Sequence, residues 1–155
     1  MFRRLQVTEM KPVPTHYTAA ADMVTGMAVV LDIANEEAEL PSAATGDNLW
    51  VVDKERIANG CKAGMQLSDW DAEYVNVAEG DKVKLHNYYP GERFATDQVA
   101  QASDMTVGTY VQANTSGLWA KMSSGTANYV VCGDPIVEAN GTLYPIMRIE
   151  SVTIS

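Results

Sequence analysis

From Thr25 onward the apolar residues fall in short runs separated by clusters of Gly, Pro, Asn, Asp and Ser. Gly26–Leu31 (GMAVVL) and Leu49–Val52 (LWVV) are apolar and partly β-branched, too short for stable helices, and read as strands. Tyr74–Val77 and Lys82–Leu85 alternate apolar with polar residues, and the intervening Glu79-Gly80-Asp81 predicts that they form a hairpin. Pro90-Gly91 predicts a type II turn, because proline sets φ at the second position and glycine supplies a positive φ at the third. Thr106–Ala113, Leu118–Met122 and Tyr129–Cys132 read as further strands, joined through the turn-rich Asn114–Gly117 and Ser123–Thr126. Ile136–Ala139 and Thr142–Ile149 flank Asn140-Gly141, the dipeptide that best suits a two-residue type I′ hairpin, and Ser151–Ile154 reads as a last strand. Helix is confined to Asp53–Asn59, with Asp53 as N-cap and Gly60 as stop, and to a turn or two within Asp97–Ser103. No βαβ unit or fixed-period repeat is visible. Eight to ten short strands predict a mainly β chain: a single-domain β-sandwich or small β-barrel with at most one or two short helices.

The first twenty residues break this pattern. Pro12 and Pro14 favour extended backbone, and Arg3, Arg4 and Lys11 against Glu9 leave the stretch with a net +2. The chain of 155 residues carries −9 in all, so the remainder holds −11. Residues 1–20 therefore read as an extended N-terminal arm, opposite in charge to a single β domain over 21–155. Phe2, Leu5, Val7 and Tyr17 supply apolar anchors at intervals, and Arg3 and Arg4 supply orientation, so these six are the candidate partner-binding residues. Between Lys11 and Lys54 there is no Lys or Arg but seven acidic residues, densest around Ile33–Leu40, which predicts a negative surface there.

The charge balance argues against a general nucleic-acid binder, which needs surplus cation. No apolar run approaches the ~18 residues of a membrane span, and Lys11, Pro12 and Pro14 stand where a secretory leader would be apolar, so synthesis in a cytosol is expected. Cys61 and Cys132 lack zinc or redox spacing and read as small buried or semi-buried thiols, with a single disulfide between them as the alternative. Asp69, Asp71 and Glu73 would share one side of a strand but lack the loop pattern of a calcium site, so a solvated acidic face is expected. Neither His16 nor His86 sits in a catalytic motif, and Glu79 and Asp81 lie on a turn that would expose both carboxylates. Trp50, Trp70 and Trp119, with Tyr88-Tyr89, suit core or interface anchors better than a sugar-stacking platform. The eight methionines suit adaptable packing in a core or at a subunit contact. No cofactor or metal is expected, and no enzyme.

Three stretches are familiar together: Thr25–Leu31; Ala78-Glu79-Gly80-Asp81-Lys82-Val83 running on to Pro90-Gly91-Glu92-Arg93-Phe94-Ala95-Thr96-Asp97; and the closing hairpin ending Met147-Arg148-Ile149-Glu150. Their layout over roughly residues 24–150 resembles head decoration (cement, auxiliary capsid) proteins of tailed bacteriophages. The resemblance implies a non-enzymatic virion protein, made in the host cytoplasm and bound to the outside of the head. Its partners would be the major capsid protein and further copies of itself, as a homotrimer, without nucleic acid or membrane. The same features also suit another virion or surface β-module, such as a head-fibre, tail or carbohydrate-binding domain.

Overall fold

The computed structural model describes residues 1–8, 13–54, 75–139 and 141–154. Within these the chain is mainly β: β1 (Phe2–Gln6), β2 (Thr18–Ala19), β3 (Met23–Val24), β4 (Ala28–Asp32), β5 (Glu37–Glu39), β6 (Trp50–Asp53), β7 (Asn76–Val77), β8 (Lys84–His86), β9 (Arg93–Thr96), β10 (Tyr110–Ala113), β11 (Trp119–Lys121), β12 (Gly125–Val131), β13 (Ile136–Glu138) and β14 (Gly141–Ile154). A 3₁₀ turn spans Ala102–Asp104. A seven-stranded sheet runs β1-β9-β14-β12-β10-β11, with β13 on β14; a five-stranded sheet runs β2-β5-β4-β6-β8; β3 pairs with β7. Every strand pair is antiparallel except β2 with β5. The sheets form a sandwich-like arrangement, one of them curled into a half-barrel.

The five-stranded sheet is buried on both faces. Ala28, Val30 and Val51 face the large sheet, where Phe94, Val111, Ala113, Trp119, Tyr129 and Ile146 complete the main core. Val29, Leu31, Trp50 and Val52 face the other way, against Tyr17, Met23, Val77, Val83 and Leu85. That is why GMAVVL and LWVV are continuous apolar runs: successive side chains alternate between faces, and here each face meets a core. Trp119 is the centrepiece of the first core, fully buried, with ring centroids 5.4 Å from Phe94 and 4.9 Å from Tyr129.

Several local expectations shift. GMAVVL loses its first two residues to a turn: Met27 N–H donates to Val24 O at 3.0 Å, and Gly26 has φ 97°. The Glu79-Gly80-Asp81 turn exists, with Asp81 N–H donating to Ala78 O at 3.0 Å, but its strands do not pair. β7 joins β3 and β8 joins β6, so the turn carries the chain between sheets. The Pro90-Gly91 turn is as expected, with Glu92 N–H donating to Tyr89 O at 3.0 Å and Gly91 at φ 92°. The closing hairpin forms one residue early, since Glu138 pairs with Gly141; Asn140, and with it the turn type, lies outside the described residues. Ser151–Ile154 is continuous with the strand before it in β14. Asp53 closes β6, and the rest of the expected Asp53–Asn59 helix, Lys54 excepted, lies outside the described residues.

Candidate docking surface

The N-terminal segment is a strap across the body rather than a free arm. Phe2–Gln6 pairs with β9, from Phe2 opposite Thr96 to Gln6 opposite Arg93. Leu85 N–H then donates to Pro14 O at 3.2 Å and Val83 N–H to Tyr17 O at 3.1 Å, and Thr18 and Ala19 form β2. The segment thus lines an edge of each sheet. Pro14, one of the prolines that suggested an arm, fits this equally well, because only its carbonyl is used and its missing N–H costs nothing there.

The six candidate residues consequently divide. Phe2 stacks on His86 with centroids 5.9 Å apart and leans on Phe94 at 6.0 Å. Val7 packs on the same core, and Tyr17 is buried in the other. These three anchor the strap to its own protein. Arg3 is exposed but engaged: its guanidinium makes a two-pronged pair with Glu138 of β13, at 2.9 Å and 2.6 Å. Arg4 is exposed and sits opposite Phe94 in register. Leu5, 44% exposed, is the extra residue where the β1–β9 register slips. The outward residues of the predicted set are therefore Arg3, Arg4 and Leu5.

Where the two sheet edges meet beneath Phe2, His86 is buried and its Nε2 lies 2.9 Å from Asp53 Oδ2, which Lys84 Nζ also approaches at 3.9 Å. Nearby, Tyr88 is buried, and desolvation pushes its hydroxyl far above the phenol range; Arg4 opposes that shift while Asp53 and Glu92 add to it. Glu92 is a buried carboxylate that the sequence reading passed over. It accepts Tyr89 N–H at 2.6 Å and Thr8 N–H, clamping the Pro90-Gly91 turn and the end of the strap together. Its position two residues after Pro90 was the available signal, since a carboxylate there can reach back to the turn's own amide. Cys132 is half-buried with a free thiol that burial pushes up and Arg93 partly restores.

The remaining candidates scatter. Among the described aromatics of the suggested platform, Trp119 and Tyr88 are buried, Trp50 is half-buried, and Tyr89 is the exposed ring. Glu79 and Asp81 serve their turn through separate contacts, Glu79 N–H to Asp22 Oδ1 at 3.0 Å and Ala78 N–H to Asp81 Oδ2 at 3.4 Å. His16 is exposed, its ring 4.4 Å from that of Tyr17. Asp69, Trp70, Asp71, Glu73 and Cys61 lie outside the described residues. No group of three or more His, Cys, Asp or Glu able to hold a metal ion occurs among the described residues.

The surface instead displays apolar side chains on stiffened turns. At the β4–β5 tip Ile33 is 77% exposed, and Asp32 holds the tip by accepting Ala34 N–H at 2.9 Å, Asn35 N–H at 3.2 Å and Asn35 Nδ2 at 2.8 Å. The Asn35 amide bonds, backbone first, hold the Asp32 carboxyl below the ordinary carboxylate range. With Glu36, Glu37 and Glu39 this is the negative surface expected around Ile33–Leu40. Val107 projects from a turn closed by Thr109 N–H to Thr106 O at 3.0 Å and by the two threonine hydroxyls at 2.8 Å. Val137 stands on the hairpin tied down by Arg3–Glu138, and Tyr89 on the turn clamped by Glu92. Comparison of the chain with models of protein families, with curated proteins and with solved structures finds no match.

Proposed function

We propose that this protein is a capsid decoration (cement) protein, which binds the outer surface of a viral head beside the major capsid protein and reinforces contacts between coat subunits. Synthesis in the host cytoplasm, residence in the virion and action as an oligomer belong to the same reading. The observation that carries it is the set of exposed apolar side chains, Ile33, Tyr89 and Val107 on turns and Val137 on strand β13, each held in place by hydrogen bonds or an ion pair. Side chains held in advance lose little freedom on docking, and several modest contacts made together multiply into firm attachment. The layout resemblance over residues 24–150 supplies the partner. The test is sedimentation of the protein with undecorated capsids. Binding should saturate, and Ile33→Asp together with Val137→Asp should weaken it at least tenfold with an unchanged melting temperature. Capsids that leave the wild-type protein in the supernatant overturn the reading.

A further inference from the structure

We infer that the outer edge of β14 from Glu150 to Ile154 is a strand-addition site for a second copy of this chain. On one side β14 is paired with β12 as far as Ile154 opposite Gly125. On the other, β9 accompanies it only to Met147 opposite Arg93. One residue further, Gly91 N–H donates to Arg148 O at 2.7 Å and Arg148 N–H to Glu92 O at 3.0 Å. Beyond Arg148, no strand among the described residues pairs with that side. Glu150, Ser151, Val152 and Thr153 are exposed, Val152 by 40%.

The main chain of this edge points outward at alternate residues. Arg148 exchanges its bonds with the turn on the β9 side, and it stands opposite Tyr129 of β12. Asn128 then faces a three-residue bulge, after which Val152 stands opposite Ala127. Tyr129 and Ala127 are two apart on one strand and orient their amides alike, so Val152, like Arg148, turns its N–H and C=O away from β12, as does Ile154.

The β1 edge and this uncovered length of β14 differ in how they are defended. β1 carries Arg3 and Arg4 along its length, charges that stop a strand from joining another, whereas the charge and the bulge of β14 end at Glu150 and Ser151. Ser-Val-Thr-Ile on β14 has no charge, no proline and three β-branched residues, which is the composition that invites pairing.

The occupant is a second copy because the edge matches itself. In an antiparallel pairing about a two-fold axis at Thr153, Val152 meets the partner's Ile154 and Thr153 meets the partner's Thr153, both favourable cross-strand pairs. Glu150, the edge's one charge, is then six residues in register from its counterpart. At ~3.4 Å per residue that is roughly 20 Å, twice the ~10 Å screening length at moderate salt. A contact this short buries less than the ~1,200 Å² of a stable complex, so the pair forms at high micromolar concentration and strengthens as salt screens the net charge of −9.

Light scattering across a concentration series, on the full chain, tests this without any capsid, so its failure is distinct from failure of the decoration reading. The wild type should approach twice the monomer mass. Val152→Pro, which removes an outward N–H, should stay monomeric with a melting temperature within a few degrees of wild type. Thr153→Lys and Thr153→Glu should each be monomeric alone, because like charges would meet across the axis, and a one-to-one mixture should regain the doubled mass. A wild type that stays monomeric, or an oligomer of any size that survives Val152→Pro and both Thr153 charges, overturns the inference.

Discussion

Gly26 should be the least replaceable of the described glycines. Its carbonyl accepts two buried hydrogen bonds, from Trp119 Nε1 at 3.1 Å and Thr96 Oγ1 at 3.1 Å, so one peptide joins the five-stranded sheet to two strands of the large one. A Cβ on Gly26 would lie 2.3 Å from Thr96 Oγ1 and 3.2 Å from Thr96 Cβ, on a backbone with φ 97°. Thr96 cannot swing aside freely: it is fully buried, and its hydroxyl also accepts Gln98 N–H at 3.0 Å. The positive φ costs an L-residue about 1–2 kcal/mol, and displacing Thr96 leaves buried polar groups unpaired for about 1–3 kcal/mol more. Gly26→Ala should therefore destabilise by about 2–5 kcal/mol in denaturant titration, with a melting temperature lower by ~4–20 °C. Thr96→Ala removes the colliding atom, so the double variant should be less destabilised than the sum of the singles. A Gly26→Ala protein within about 1 kcal/mol of wild type, or strict additivity with Thr96→Ala, would refute the reasoning.

Removing residues 2–6 should lower the melting temperature, because it uncovers the β9 edge and the Phe2–His86 stack; an unchanged melt would return the segment to the status of a free arm. Tyr129 is 1% exposed, and desolvation raises its pKa from 10.0 to about 12. The unfolded chain then gives up this proton first, so the stabilisation is complete below pH ~10 and lost on the way to ~12. Alkaline unfolding followed by tyrosinate absorbance should begin in that window, and Tyr129→Phe should flatten the slope there; an identical slope would contradict it.

Much of the fold was legible because its strands obey a simple rule. Short apolar runs between turn residues mark β4, β6, β10 to β12 and the closing hairpin, and the Pro90-Gly91 turn reads directly from its dipeptide. Pairing partners were not legible. Glu79-Gly80-Asp81 is as good a turn between two sheets as within one, and only the burial of Val77 against Met23 and of Leu85 against Val52 decides which. The N-terminal segment misled for a related reason: Pro14 and the paired arginines describe an extended segment at an edge, and sequence cannot say whose edge. Of the six residues read as docking contacts, the three apolar ones that the cores absorb, Phe2, Val7 and Tyr17, are anchors at home. Ile33 carries no periodic signal, since an isolated apolar residue on a turn looks like any other, and the strand reading of Ile136–Ala139 does not say that Val137 faces out.

β14 is the spine of the large sheet, bonded to β9, β12 and β13, and β1 reaches that sheet only through β9. It is also the last strand in chain order. As the chain leaves the ribosome, β9 and β12 therefore wait for β14, and Phe2 waits for a partner more than ninety residues downstream. Non-local pairing of this kind folds slowly, on the scale of ~ms to s. The face of the five-stranded sheet that meets the large sheet, made first, stays uncovered meanwhile. Closely spaced nascent chains would thus expose Ala28, Val30 and Val51 to their neighbours on the same message, and yield would depend on crowding of nascent chains as well as on the stability of the folded molecule.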